Sequence, residues 1–345
     1  MYKLFVQRLL FVFDPELSHH LALKFIKFFL SIKPIKWMVK NRYRVSSDKL
    51  KKSLFNKTFT NSVGLAAGFD KNSVAFNALS CFGFGFIEVG TVTPEPQKGN
   101  PTKRLFRLLK DQALINRMGF NNDGADIIAQ RIEKIHQCKQ IVIGVNIGKN
   151  KSTPIEKSIS DYLICFEKFA PMADYITINV SSPNTPELRS LQNRNELQNL
   201  IGALVKENHK LKKSIPLLLK ISPDLSFSQI DDVIQTIEDF DLAGIVAVNT
   251  TTKRINIHSK YRNQSGGLSG KPLFKRSMEV VSYIKKTQKK PFCIIGVGGI
   301  QSSNDGLKML NAGADLIQIY TGFVYQGPRL VKRINQELLS SIESN

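Results

Sequence analysis

Two segments of the chain are dense in side-chain amides: NRMGFNN at 116–122 and NVSSPNTP at 179–186. An asparagine amide donates and accepts hydrogen bonds at once, so clustered asparagines suit a planar ligand whose ring edge alternates N–H and C=O groups. Two glycine-rich pieces, GVGGI (296–300) and YTG (320–322), can bring backbone N–H groups up to an anion with no Cβ in the way. Together they point to a phosphate-bearing cofactor. No G-x-G-x-x-G opens a βαβ unit with an acid beyond it, which argues against a nicotinamide-binding domain. The spacing of the cysteines fits no zinc motif, and no metal site is expected.

These pieces need a scaffold, and the hydrophobic pattern supplies one. Eight short apolar runs end in small or polar residues: 63–69, 86–91, 141–147, 175–181, 216–222, 244–250, 292–298 and 315–321. Several are continuously apolar, as strands buried on both faces should be. Helical stretches lie between them at 72–82, 122–136, 158–170, 194–210, 228–239, 273–286 and 304–312. Eight strand–helix alternations predict a single (β/α)8 TIM barrel of the α/β class; a doubly wound open sheet is the alternative. A barrel places its chemistry just beyond the C-terminal strand ends. Asp70–Lys71, Thr91, Asn146, Asn179 to Asn184, Lys220, Asn249–Thr250, Gly298–Gly299 and Tyr320–Thr321 all fall there. Any one of them could be an ordinary turn residue; eight ends all supplying small or hydrogen-bonding groups are hard to explain that way.

The 345 residues carry a net charge of +21, concentrated at the start: residues 1–52 hold twelve Lys or Arg against three Asp or Glu. Residues 1–44 read as a small separate helical domain ahead of a barrel spanning 45–345. Helices are expected at about 2–12, 15–30 and 35–43, with Asp14 as N-cap and Pro15 in the first turn. In the second, Leu21, Phe25, Phe28 and Ile32 recur at helical spacing, with Lys24, Lys27 and Ser31 opposite. Such a helix lies on a membrane surface, or else packs on the barrel. No uncharged apolar stretch is long enough to span a bilayer, and no secretory cleavage pattern is read. The four cysteines form no C-x-x-C pair, so reduced thiols in a reducing compartment are expected.

GLAAGFDK (64–71), IEVGTVTPEPQKGNP (87–101), NRMGFNN, NIGKN (146–150), NVSSPNTP, KISPD (220–224), NTT (249–251), GGLSGKP (266–272), GVGGI and QIYTG (318–322) closely resemble the dihydroorotate dehydrogenases. The resemblance runs over nearly the whole chain in family order. The N-terminal DPELSHH (14–20) resembles the quinone-dependent class, whose members carry a helical membrane-binding domain and use Ser where the soluble class uses Cys; here that residue is Ser182.

The resemblance implies oxidation of (S)-dihydroorotate to orotate in de novo pyrimidine synthesis, with one non-covalent FMN per chain and a ubiquinone-type final acceptor. Ser182 would be the base. Lys71, Asn116, Arg117, Met118, Gly119, Phe120, Asn179, Asn184, Asn249 and Thr250 would surround the substrate. Ala67, Gly68, Phe69, Asp70, Lys71, Thr91, Asn146, Asn179, Lys220 and Val248 would line the flavin, with Gly270, Gly299, Tyr320 and Thr321 near its phosphate. A Thr common in the family is replaced by Val248, which leaves only a backbone contact there. A water-linked path from Ser182 to Thr185, shielded by Phe120, would activate the serine. His19, Arg107 and Tyr320 would meet the quinone. A monomer at the cytoplasmic face of the membrane, peripherally bound to anionic lipid and not to nucleic acid, is expected. The rival enzyme is a tRNA dihydrouridine synthase, another FMN barrel, but it needs a catalytic Cys, and no Cys falls at a strand end here. A basic membrane scaffold would not need the barrel-mouth residues.

Overall fold

The computed structural model describes residues 2–136 and 141–344; Cys138 lies outside them. A π-helical turn, Tyr2–Val6, runs into helix α1 (Gln7–Val12), followed by α2 (Pro15–Phe29) and α3 (Lys33–Tyr43). Asp14 starts α2: its Oδ1 accepts from the Glu16 and Leu17 N–H groups at 2.9 and 3.2 Å. Pro15 takes the first helical position, where its missing N–H costs nothing. Leu23, Ile26 and Leu30 form the face of α2 that packs on the barrel. The stripe read from the sequence is therefore the outward one, since Phe25, Phe28 and Ile32 are exposed. α3 begins two residues before the expected position, with Pro34 in its first turn.

The rest of the chain runs β1 (Lys52–Leu54), β2 (Lys57–Phe59), β3 (Val63–Leu65), α4 (Phe76–Leu79), β4 (Phe86–Val92), β5 (Leu105–Leu108), β6 (Ala113–Asn116), α5 (Ala125–His136), β7 (Val142–Ile147), α6 (Ser158–Phe169) and β8 (Tyr175–Asn179). It continues through α7 (Arg194–His209), β9 (Leu217–Ile221), α8 (Phe227–Asp239), β10 (Gly244–Ala247), β11 (Gly267–Gly270), α9 (Phe274–Thr287), β12 (Cys293–Val297), α10 (Ser303–Asn311), β13 (Leu316–Ile319), α11 (Thr321–Gln326) and α12 (Arg329–Glu343). Strands β3, β4, β7, β8, β9, β10, β12 and β13 close, in that order, into a parallel barrel. They are the eight expected runs, shortened where the polar ends leave the ladder to build the mouth. Two features are additional to the sequence reading. β5, β6 and β11 form a separate antiparallel sheet, and β1–β2 is a hairpin. Their three- and four-residue strands are too short to show a period.

Side chains alternate across each barrel strand. On β4, Ile87 and Val89 join the layer beneath the helices, while Phe86 joins the interior cluster with Phe59 and Tyr175. Phe59 comes from the hairpin and meets Phe86 edge-on at 5.4 Å, closing the floor at the N-terminal strand ends. Gly64 and Gly144 make room for these rings: a Cβ on either would lie 2.3 Å from Phe86 or 2.1 Å from Tyr175. One step higher, β4 turns Glu88 inward. This fully buried carboxylate accepts from Asn146 Nδ2 (2.8 Å), Tyr175 OH (3.1 Å) and Gln318 Nε2 (2.7 Å). The acid thus sits in a ring of donors, as a buried charge must.

Candidate active site

Above the Glu88 layer, one continuous cavity occupies the mouth. The asparagines are wired into it. Asn179 Nδ2 donates to Thr91 Oγ1 (2.9 Å) and Asn146 Oδ1 (3.1 Å), and its Oδ1 accepts from Ser181. Asn249 Nδ2 donates to Ser181 Oγ at 2.9 Å, and Asn184 Nδ2 to Asn116 Oδ1 at 3.3 Å. Each amide is oriented by another, so the cavity wall is preset rather than floppy. Ser182 is buried against this wall, its Oγ accepting the Asn184 N–H at 3.2 Å. Thr185 Oγ1, close by in sequence, is buried with no hydrogen-bond partner.

Lys220, at the end of β9, is 5% exposed and lines the same cavity. Among the described residues, no hydrogen bond satisfies its ammonium. Burial pushes its pKa down, and the Glu88 charge below pushes it up. A buried cation facing a cavity calls for an electron-rich ligand edge. Farther along, Gly270, Gly298 and Gly299 all have positive φ, and a Cβ on Gly299 would lie 2.5 Å from Phe274. They lie beside the start of α11, where Thr321 Oγ1 shares a 2.8 Å hydrogen bond with Ser269 Oγ. Backbone N–H groups without side-chain cover suit a phosphate.

The other arm of the cavity reaches α2: Glu16, His19, His20 and Leu23 line it together with Phe69 and Tyr320. The His19 ring packs edge-on to Phe69 at 4.9 Å; burial, then the nearby Lys71 charge, drives its pKa to about 4, so it is neutral at physiological pH. Burial also lowers Lys71 to about 8, while its Nζ donates to Asn121 Oδ1 at 2.9 Å. Tyr320 is pushed up to about 12 by burial, and its OH donates to Gly68 O.

Most of the residues singled out from the sequence line this cavity; Thr185, Asn146, Arg117 and Arg107 do not. Asn146 lies one layer lower, bridging Thr91 and Glu88. Arg117 turns outward to Lys103 O and Gln264 Oε1, over the Phe106 ring. Arg107 bonds the Leu10 and Phe13 carbonyls and covers Phe11, because the end of α1 leaves carbonyls without intrahelical partners. Asp70 reaches the cavity, but its carboxylate accepts the Val74 and Ala75 N–H groups, a turn-capping role. Sequence reading missed Glu16, Glu88 and Gln318. For Glu88 a signal existed: a carboxylate at the inward phase of an otherwise apolar strand.

The family model for dihydroorotate dehydrogenase matches residues 49–342. The chain belongs to the dihydroorotate dehydrogenase family. It is therefore an oxidoreductase of a flavin-dependent family. It is 48% identical over 339 residues to dihydroorotate dehydrogenase (quinone) of Christiangramia forsetii, covering 98% of this chain and 99% of that one. It is 44% identical over 343 residues to the protein of the same name from Idiomarina loihiensis, covering 98% and 100%. Among solved structures, ligand-free DHODH from Eimeria tenella superposes with a TM-score of 0.87 at 36% identity, covering 96% of each chain. The same protein in complex with ferulenol gives 0.85, covering 96% of this chain and 92% of that one.

Proposed function

We propose that the chain oxidises (S)-dihydroorotate to orotate in pyrimidine synthesis, with one non-covalent FMN and a membrane quinone as the final acceptor. The observation that carries this reading is the single cavity joining Ser182 and the asparagine amides, past Lys220, to the α2 arm. The residues fit a flavin mononucleotide: Lys220 offers an unpartnered cation to the ring, and Gly299 with Thr321 offers backbone donors to one phosphate. When bound there, the flavin would supply two-electron redox chemistry, as acceptor of hydride from the substrate and donor of electrons to the quinone.

The chain does the rest. Asn116, Asn179, Asn184 and Asn249, with Thr250, hold the substrate ring by its edges, and Lys71 balances its carboxylate. Ser182 Oγ takes the proton from C5. A serine hydroxyl is a weak base at neutral pH and needs help. The Asn184 N–H stabilises negative charge developing on Oγ, and a water bridging to the unpartnered Thr185 hydroxyl would carry the proton away. Phe120 excludes bulk water. Lys220 favours negative charge on the reduced ring.

Residues 1–44 act as the membrane-facing domain and quinone entrance, with His19 and Tyr320 as polar contacts at its inner end; Arg107 supports that entrance by holding α1. No helix among the described residues is long and apolar enough to cross a membrane. Peripheral attachment of a monomer at the cytoplasmic face, through exposed aromatic rings and lysines, fits the helices. The test is spectroscopic. The purified protein shows flavin absorption that dihydroorotate bleaches and quinone restores, and acid releases FMN; release of FAD, or the absence of flavin bands, sinks the reading.

A further inference from the structure

We infer that Glu16, on α2, is a positioning residue for the loop that carries Ser182, so that the N-terminal helix forms part of the dihydroorotate half-site. The inference rests on the reaction proposed above. Glu16 sits in the first turn of α2, but its carboxylate turns into the molecule. Arg104 grips it from the barrel side. Nε lies 3.2 and 3.0 Å from the two oxygens, and Nη2 lies 2.6 Å from Oε1. Arg104 is 8% exposed, so this is a desolvated, two-pronged ion pair. The remaining nitrogen, Nη1, donates to Lys98 O at 2.7 Å and Asn100 O at 2.6 Å. Every nitrogen of the fork is therefore engaged, two on α2 and one on the loop after β4.

From that loop the connection continues inward. Asn100 Nδ2 donates to Arg117 O at 3.0 Å and to Asn184 O at 3.1 Å, while its Oδ1 accepts from Lys151 Nζ. Asn184 donates its backbone N–H to Ser182 Oγ and its side-chain amide to Asn116 Oδ1. Glu16, Arg104, Asn100 and Asn184 thus form an unbroken run of hydrogen bonds ending on the proposed base. There is little slack beside it: a Cβ on Gly119 would lie 2.8 Å from the Asn100 amide. Without the Glu16 charge, the guanidinium is buried with no counter-ion, and its best recourse is to turn toward other acceptors, releasing Lys98 and Asn100. Two further basic side chains face the same carboxylate, the His20 ring at 3.9 Å and Lys71 across the cavity.

Contiguity alone does not establish coupling, so the test measures it. The full-length holoenzyme is mixed with dihydroorotate without quinone, and the saturating rate of flavin reduction is recorded. Glu16→Gln and Arg104→Lys are each expected to lower that rate roughly ten- to a hundredfold, the scale of a small misplacement of reacting groups. Flavin content stays near wild type, and the melting temperature falls by only a few degrees as the buried guanidinium loses its counter-ion, so both variants are assayed folded. Lysine retains the charge but not the fork, so it does not rescue. Asn100→Ala lowers the rate as well, and combining it with Glu16→Gln costs less than the product of the two losses. Phe28→Ala, on the outer face of the same helix, leaves the rate unchanged. Rates within about twofold of wild type in both Glu16→Gln and Arg104→Lys overturn the inference, and so do losses that simply multiply in the double variant. A wild-type enzyme that dihydroorotate does not bleach refutes the reaction itself, a separate outcome.

Discussion

At the barrel floor Phe59, Phe86 and Tyr175 are closed off from solvent, whereas on the N-terminal helices Phe25, Phe28 and Trp37 stand 56%, 64% and 68% exposed. The charges differ in the same way. Glu88 lies deep in the barrel among hydrogen-bond donors and Lys220 faces the cavity, while Lys24, Lys27 and Lys33 are out in solvent. The barrel is self-sufficient: its aromatic rings fill each other's space and its polar groups orient a cavity. The helices are not, because several large apolar side chains left standing in water on neighbouring helices mark a place where something else docks. Composition marks the helices by their excess of Lys and Arg, but only the partner of each aromatic side chain shows which rings are buried and which are left in water.

The largest expected effect tests the barrel half of that contrast. Ser182→Ala should slow flavin reduction by dihydroorotate by roughly 10²–10⁴-fold, the usual loss of a general base, with flavin still bound. Stopped-flow reduction at the wild-type rate would assign the base elsewhere. Ser182→Cys should keep partial activity, rising with pH as the thiol ionises.

Next comes packing. Phe59→Ala should cost about 3–5 kcal/mol of stability, because the floor rings cannot collapse into the space left behind. Phe28→Ala should change stability by no more than about 0.5 kcal/mol, yet weaken sedimentation with anionic vesicles. Equal losses of stability in the two variants would erase the distinction between the regions.

Lys71 gives a smaller, graded effect. Its folded pKa is about 8, below the ordinary 10.5. An anionic substrate beside it favours the charged form, so binding takes up a proton once the free enzyme has lost it. Affinity for dihydroorotate should be flat below pH 8 and weaken above it, by up to about tenfold per pH unit. Lys71→Gln should flatten the curve; a wild-type curve already flat from pH 7 to 9.5 removes Lys71 from the site. Stability runs the other way. The unfolded chain holds more protons than the folded one between pH 8 and 10.5, so this group's contribution to stability rises with pH across that window.

The helices as a route are tested by the difference between two rates. Removing residues 1–44 should slow quinone reduction more than flavin reduction by dihydroorotate. If Glu16 anchors the Ser182 loop, the second rate should also fall, by the factor that Glu16→Gln alone produces. A truncated, flavin-loaded protein that reduces long-chain quinones at full speed would strip the helices of that role.

The eight barrel strands were legible because a strand buried on both faces is a nearly continuous apolar run, as 293–297 is and as 142–147 is but for Asn146. The residues at their ends were legible through long motifs. What escaped was set by partners distant in sequence. Nothing around Arg107 shows that α1 will leave carbonyls over it, and nothing around Glu16 shows that Arg104, 88 residues on, will meet it. The outward aim of Phe25 and Phe28 was hidden for the same reason: α2 carries apolar residues on both faces, and periodicity cannot tell which one the barrel takes.

The hairpin that carries Phe59 makes the barrel a vessel with a single rim. With its base stoppered by three aromatic rings, nothing threads through the strands, so substrate, product and oxidant all come and go at the same pole. On the function proposed above, they would be kept apart only by the side of that rim they approach, the Ser182 loop or the α2 arm. A compound wedged under α2 should therefore compete with the oxidant alone, and one lodged beside Ser182 with dihydroorotate alone. The opposite pole is left without chemical duties. Exposed Lys52 and Ser53 there should accept a bulky label or a surface tether while both half-reactions proceed unhindered.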